Sequence, residues 1–221
     1  MDEKPSQDTH EVLNQPPPFE GEIRSLYASD VALVESLQRE AGAGNLAAFE
    51  PAVADFGLWL GSEEARELGH QANRFPPELR SHDRFGHRLD EVAFHPAWHR
   101  VMAEAMSRRV HNLPWRHPQP GAQAARATML AMLAQVEAGS CCPLTMTFAA
   151  MPVVRREKAL AAFWEEKLLG TRYEPSLVPP AEKQAVLIGM AMTEKQGGSD
   201  VRANTTRAEP AGEGGVFELT G

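Results

Sequence analysis

Between Met190 and Val201 the chain reads MAMTEKQGGSDV. An apolar run delivers a polar loop in which Thr193 and Ser199 carry hydroxyls on either side of Gly197 and Gly198. Adjacent glycines permit positive φ and remove Cβ atoms, so backbone N–H groups can come close to a ligand. Successive N–H groups in such a loop can form an anion-holding concavity. The two hydroxyls add donors for a phosphate oxygen or a ring edge. A cofactor with a polar ring edge and a pyrophosphate suits this arrangement. A plain Gly-Gly turn with a Ser cap uses the same residue types, so the loop by itself does not identify its ligand.

Other groups able to do chemistry are sparse. His95 and His99 are four apart, a spacing that can put two imidazoles on one helix face, but only Pro, Ala and Trp lie between them. No carboxylate stands there to act as a base, and packing with His95 at a helix start is the better reading; no metal site is expected. Cys141 and Cys142 are adjacent, without Cys-x-x-Cys spacing. Neighbouring residues rarely have the geometry for a mutual disulfide, and no basic run nearby lowers their pKa, so buried, inert thiols are expected. Glu137, Thr145 and Thr147 suit either the wall of a substrate tunnel or helix packing and capping. Arg108 with Arg109, and Arg155, Arg156 and Lys158, read as solvated helix faces, with no interleaved aromatic platform for nucleic acid. No Walker, G-x-S-x-G or flanked G-x-G-x-x-G string occurs, so P-loop, hydrolase and Rossmann chemistries fall away.

The elements that must position the loop are mostly helical. Residues 1–28 read as an N-terminal arm, with Pro16, Pro17 and Pro18 unable to sit inside a helix. The arm is either a mobile tail or a strap that packs on a neighbouring subunit through Phe19 and Leu26. From residue 29 to residue 184 a helical domain is expected. Ser29 or Asp30 caps a helix bearing Val31, Val34 and Leu37. Leu46, Phe49, Val53, Phe56 and Leu60 form the apolar stripe of a second. Ser62 caps a third, which ends before Pro76 and Pro77. Glu78 to Glu91 reads as a polar loop. A helix beginning at Pro96 runs to about His111, with Val101, Met102, Ala105 and Met106 inward. After a Pro-rich connection, Ala122 to Ala138 is a strong helix former buried on most sides. Two further runs, Thr145 to Ala150 and Lys158 to Leu169, are split near Pro152. Residues 185–221 begin a β domain: Ala185 to Met192 as a buried strand, Thr205 to Glu209 and Val216 to Thr220 as a pair around the AGEGG turn. A hairpin and one more strand leave open edges, so the reading expects more chain, or a partner, to complete the sheet.

Composition bounds the rest. The 221 residues are 43% hydrophobic and 24% charged, as in a soluble globular protein. The net charge of −8 argues against a surface built to bind nucleic acid. No secretory leader is visible in MDEKPSQDTH, and the longest apolar stretch is too short to span a bilayer. Two cysteines and no disulfide framework fit a reducing cytoplasm.

The string MTEKQGGSD, at the junction of a helical and a β domain, resembles the signature loop of the acyl-CoA dehydrogenase family. The strings THEVLNQPPPF, NRFPPELR, RLDEVAFHPAWH, RVHNLPW, QVEAGSCCPLTMTFA and IGMAMTEKQGGSDV resemble one branch of it, associated with the adaptive response to DNA alkylation. The resemblance covers residues 9 to 221. It implies an α+β fold, an all-helical domain followed by the start of an antiparallel β domain, and a loop lying against FAD. Met190, Met192 and Thr193 would meet the isoalloxazine ring or its polar edge, while Gly197, Gly198 and Ser199 would lie near the pyrophosphate or the acyl-CoA. It implies dehydrogenation of an acyl thioester, with the catalytic base, further flavin contacts and a helical bundle supplied beyond Gly221. It also implies a homotetramer and, as the alternative function, protection of DNA with little dehydrogenase turnover, DNA being met through that later part. No catalytic residue is therefore assigned here.

Overall fold

A computed structural model describes residues 25–212 and 215–221. Phe19 and the triple proline, on which the strap reading rests, lie outside the described residues. Eight helices are described: α1 Val31–Ala41, α2 Leu46–Leu60, α3 Glu63–Arg74, α4 Pro96–Ser107, α5 Leu113–Arg116, α6 Ala122–Val136, α7 Cys141–Val154 and α8 Lys158–Leu168. Two antiparallel hairpins accompany them, β1 Glu78–His82 with β2 Arg88–Ala93, and β3 Arg207–Pro210 with β4 Phe217–Thr220.

Local chemistry sets the helix starts. The Asp30 carboxylate accepts from the Leu33 N–H, and the Ser62 hydroxyl from the Ala65 N–H, each satisfying a donor left free in a first turn. The apolar stripes then converge. Leu37, Phe49, Val53, Phe56, Leu60, Val101, Met102, Met129, Met132, Leu133 and Leu144 join one core, with α6 through its centre. A smaller cluster of Met151, Val154, Leu168, Leu169 and Val186 ties α7 and α8 to the chain that follows.

Several expectations change. Glu78 to Glu91 is a hairpin rather than a loop. Both of its faces are wet, β1 being exposed throughout, so the sequence lacks the apolar alternation that marks a strand. Its turn is held by the Asp83 carboxylate, which accepts from the Phe85 and His87 N–H groups, with Gly86 at φ +88°. Helix α4 ends at Ser107, short of His111. Pro152 lies within the last turn of α7 and does not split it; the break falls after Val154. Ala185 to Met192 is extended but pairs with no strand among the described residues. Its N–H groups go to helices instead, Val186 to the Lys167 carbonyl at 3.1 Å and Ile188 to the Thr147 hydroxyl at 3.1 Å. Leu26 packs on this chain's own core, and its N–H donates to the Gly57 carbonyl at 3.0 Å. No described helix is long and apolar enough to cross a membrane.

Candidate functional site

The loop is positioned from the end of α8. His111 and Asn112, both fully buried, reach that end from the α4–α5 connection. Nε2 of His111 lies 2.9 Å from the Gly170 carbonyl, and Nδ2 of Asn112 donates to the Leu169 carbonyl at 2.9 Å. Burial pushes the His111 pKa down to about 4, and the charges of Arg109 and Arg126 press the same way; the ring is neutral near pH 7. Lys167 continues the anchoring, its ammonium donating to the carbonyls of Ala181 and Lys183 at 3.1 and 2.9 Å. Ala185 and Val186 are buried. Thr147, also buried, receives the Ile188 N–H, so of its two readings the packing one describes this structure. Beyond Ile188 the chain emerges, and Met190, Met192 and Thr193 are exposed.

Residues 193–206 close on themselves. The Glu194 carboxylate accepts from the Thr205 N–H at 2.7 Å and the Thr206 N–H at 3.0 Å, and Gln196 donates to it as well. Hydrogen bonds from Thr206 and from the Thr205 backbone lower the Glu194 pKa to about 2, because each favours the ionised form. Asn204 donates to the Met192 carbonyl at 2.6 Å. Gly197 is buried inside this turn, and its N–H and carbonyl pair with Glu194. A Cβ there would stand 2.8 Å from Asn204 Oδ1 and 3.0 Å from the Asp200 carbonyl. Neither Gly197 nor Gly198 has positive φ; Gly197 is needed for space within the loop rather than for left-handed backbone. Gly198 is different. It is exposed, and a Cβ there would meet only Thr193 Cγ2, at 3.2 Å. The structure therefore brings Thr193 and Gly198 together, with exposed Ser199 next in the chain, on an open surface preceded by Met190 and Met192.

Sequence reasoning passed over Glu194, Gln196 and Asn204, the groups that give the loop its shape. They lie within or just after the motif, but Glu194 and Asn204 find partners eleven or twelve residues away, which leave no pattern in the sequence. The two histidines separate in role. His95 caps α4 by accepting from the Ala97 N–H, and His99 Nδ1 lies 2.7 Å from the Tyr173 hydroxyl. That pair lines a cleft of about 640 Å³ with Phe94, Trp98, Trp164 and Ile188. Burial lowers the His99 pKa, and burial followed by the Glu174 charge raises that of Tyr173 to about 12, so both are neutral. Cys141 is half-buried with its thiol pushed up to about 11 by burial, then by Glu137. Cys142 is exposed, against expectation, because at the start of α7 it faces outward.

A mostly helical domain thus passes into an open loop and an antiparallel hairpin. The sequence model of the adaptive response protein AidB N-terminal domain matches residues 14–175. The chain belongs to the AidB family. AidB of Escherichia coli (strain K12), named among the acyl-CoA dehydrogenases, is 50% identical over 216 residues, 96% of this chain and 38% of AidB. The chain thus spans well under half the length of that relative. Its fold is also shared with proteins of known structure. Caenorhabditis elegans ACDH-11 in complex with C11-CoA matches with TM-score 0.73 at 22% identity, over 99% of this chain and 37% of that one. A protein called Bd2924, in its apo form, matches with TM-score 0.71 at 22% identity, over 89% of this chain and 39% of that one. This AidB-family segment therefore has the α+β architecture expected of it, the N-terminal part of an acyl-CoA dehydrogenase-like fold.

Proposed function

We propose that this chain forms one wall of an FAD site in an acyl-CoA dehydrogenase-like protein acting on acyl thioesters. The observation that carries the reading is the open patch formed by Met190, Met192, Thr193, Gly198 and Ser199, preorganised by Glu194 and Asn204. The residues fit the cofactor. Two exposed methionines offer soft apolar contact to a flat ring. The Thr193 hydroxyl offers a hydrogen-bonding group for the ring edge, and Gly198 with Ser199 leaves space and donors for a pyrophosphate. When bound, the flavin supplies the hydride acceptor; the protein supplies binding and orientation. Gly197 contributes indirectly, by letting the loop close. The ligand named with ACDH-11, a C11-CoA, supports an acyl thioester as the substrate class.

The test is titration with FAD, read by flavin fluorescence and absorbance. In a chain continued to the length of its relatives, FAD is expected to bind, and Ser199→Ala and Thr193→Val each to weaken it by about 1 kcal/mol, the size of one lost hydrogen bond. Residues 1–221 alone are expected to retain flavin weakly or not at all, since one loop supplies few contacts. No binding by the longer chain, or binding indifferent to both substitutions, would sink the proposal.

The adaptive-response description of the family favours a second reading, DNA protection in a homotetramer. The charge of −8 on this segment weighs against contact here. Salt-dependent DNA binding by the longer chain, reflecting counterion release, is the expected sign; none at low salt would remove it.

A further inference from the structure

Arg126 has an unusual environment. It lies on α6 and is 8% exposed. Its Nε and Nη2 atoms are fully enclosed and have no hydrogen-bond partner. No carboxylate lies within ion-pair distance of it among the described residues. The acidic groups nearest along the chain are otherwise engaged. Both oxygens of buried Glu137 accept N–H groups at the start of α7, from Gly139 at 2.9 Å and from Ser140 at 2.5 Å. The neighbouring Cys141 thiol is held protonated by its burial. What Arg126 does have is Phe148 on α7, whose ring centroid lies 3.8 Å from the guanidinium carbon. Phe148 in turn stacks on Trp115 at 5.0 Å. This aromatic pair fixes the plane of the guanidinium without supplying an acceptor to its edge.

A buried guanidinium with unsatisfied donors is costly to a folded chain, and a cation–π contact offsets only part of that cost. The unsatisfied atoms are also the informative ones. Nε–H and the adjacent Nη2–H point the same way and form the side-on fork that takes a carboxylate through two parallel hydrogen bonds. Two other unsatisfied buried atoms belong to the neighbouring connection, His111 Nδ1 and Asn112 Oδ1, and Arg126 is close enough to His111 to depress its pKa.

From the enclosed, unpaired fork we infer that Arg126 is a recognition residue for a small organic carboxylate, taken at the Nε–Nη2 edge with the guanidinium plane set by Phe148. The inference does not depend on the flavin reading. A carboxylate gives each donor its own oxygen, whereas a chloride ion or a lone water offers one atom to both.

Thermal unfolding of this chain in acetate or glutarate, against chloride at equal ionic strength, tests it. The carboxylates are expected to raise Tm saturably, and chloride not to. Arg126→Met is expected to abolish the saturable rise and to raise Tm in chloride, by roughly 2–4 °C, because it removes an unpaired buried charge. Arg126→Lys keeps the charge without the fork, and is expected to weaken the carboxylate response by about tenfold or more, the loss of one charge-assisted hydrogen bond. Equal carboxylate shifts in all three proteins, no shift in the parent chain, or a lower Tm for Arg126→Met in chloride would each overturn the assignment, the last by showing that internal water and Phe148 already satisfy the guanidinium.

Discussion

At the residue scale, His111 shows how a buried group ties the helical part to the loop. It is fully buried and anchors the end of α8, with its folded pKa near 4 against 6.5 for a free histidine. A proton therefore binds the unfolded chain more readily than the folded one. The stabilisation is complete above pH 6.5 and is lost as pH falls through the window down to about 4. At about 1.4 kcal/mol per pKa unit, this one group removes roughly 3 kcal/mol across that window. Thermal unfolding against pH is expected to show the fall, and His111→Gln to flatten it; an unchanged slope in the variant would show that other groups carry the effect. The sequence offers no sign of this role. His111 stands in a string that reads as the end of a helix, and the Gly170 carbonyl it meets is 59 residues away. Thr193, Gly198 and Ser199 were legible as a candidate site because loop chemistry is local. Glu194 was not, since its importance depends on where Thr205 and Thr206 return.

At the element scale, the helices were legible and the extended segments much less so. Helical stripes repeat every three or four residues whatever the partner, so α1, α2, α3, α4 and α6 follow from spacing and caps. Ala185 to Met192 reads as a buried strand by composition, but a strand needs a neighbour for its backbone, and here helices α7 and α8 take the first N–H groups. The β1–β2 hairpin was missed for the opposite reason: with both faces in water it has no alternation to read. Close approaches between elements are equally invisible from one sequence. The turn at residues 25–28 lies on α2 because Gly57 has no side chain; a Cβ there would stand 2.7 Å from the Tyr27 Cβ. Gly57→Ala is expected to destabilise the chain by about 1–3 kcal/mol through overpacking, despite the better helix propensity of Ala, and to expose Tyr27. Denaturant unfolding with tyrosine fluorescence checks this. A stabilised variant would mean that the turn is free to move away.

At the scale of the whole molecule, stability is distributed unevenly. One core runs through α1, α2, α4 and α6, and a smaller one joins α7, α8 and Val186. The β3–β4 hairpin has every residue exposed. Amide exchange is expected to be slowest around Phe56, Val101 and Met129, and faster by orders of magnitude in β3 and β4, since local opening there uncovers no apolar surface. Equal protection in the hairpin would indicate that something covers it in solution. Taken alone, the sequence determined the helical register, the caps and the residue types offered by MAMTEKQGGSDV, because these depend on short-range spacing and residue type. Only the tertiary structure decided that Ala185 to Ile188 would be bound by helices, that Gly197 would be filled space and Gly198 open surface, and that the Nε and Nη2 atoms of Arg126 would be enclosed without a protein partner. Those outcomes depend on which distant groups fold against one another, and on the cost of burying a polar atom that finds no partner.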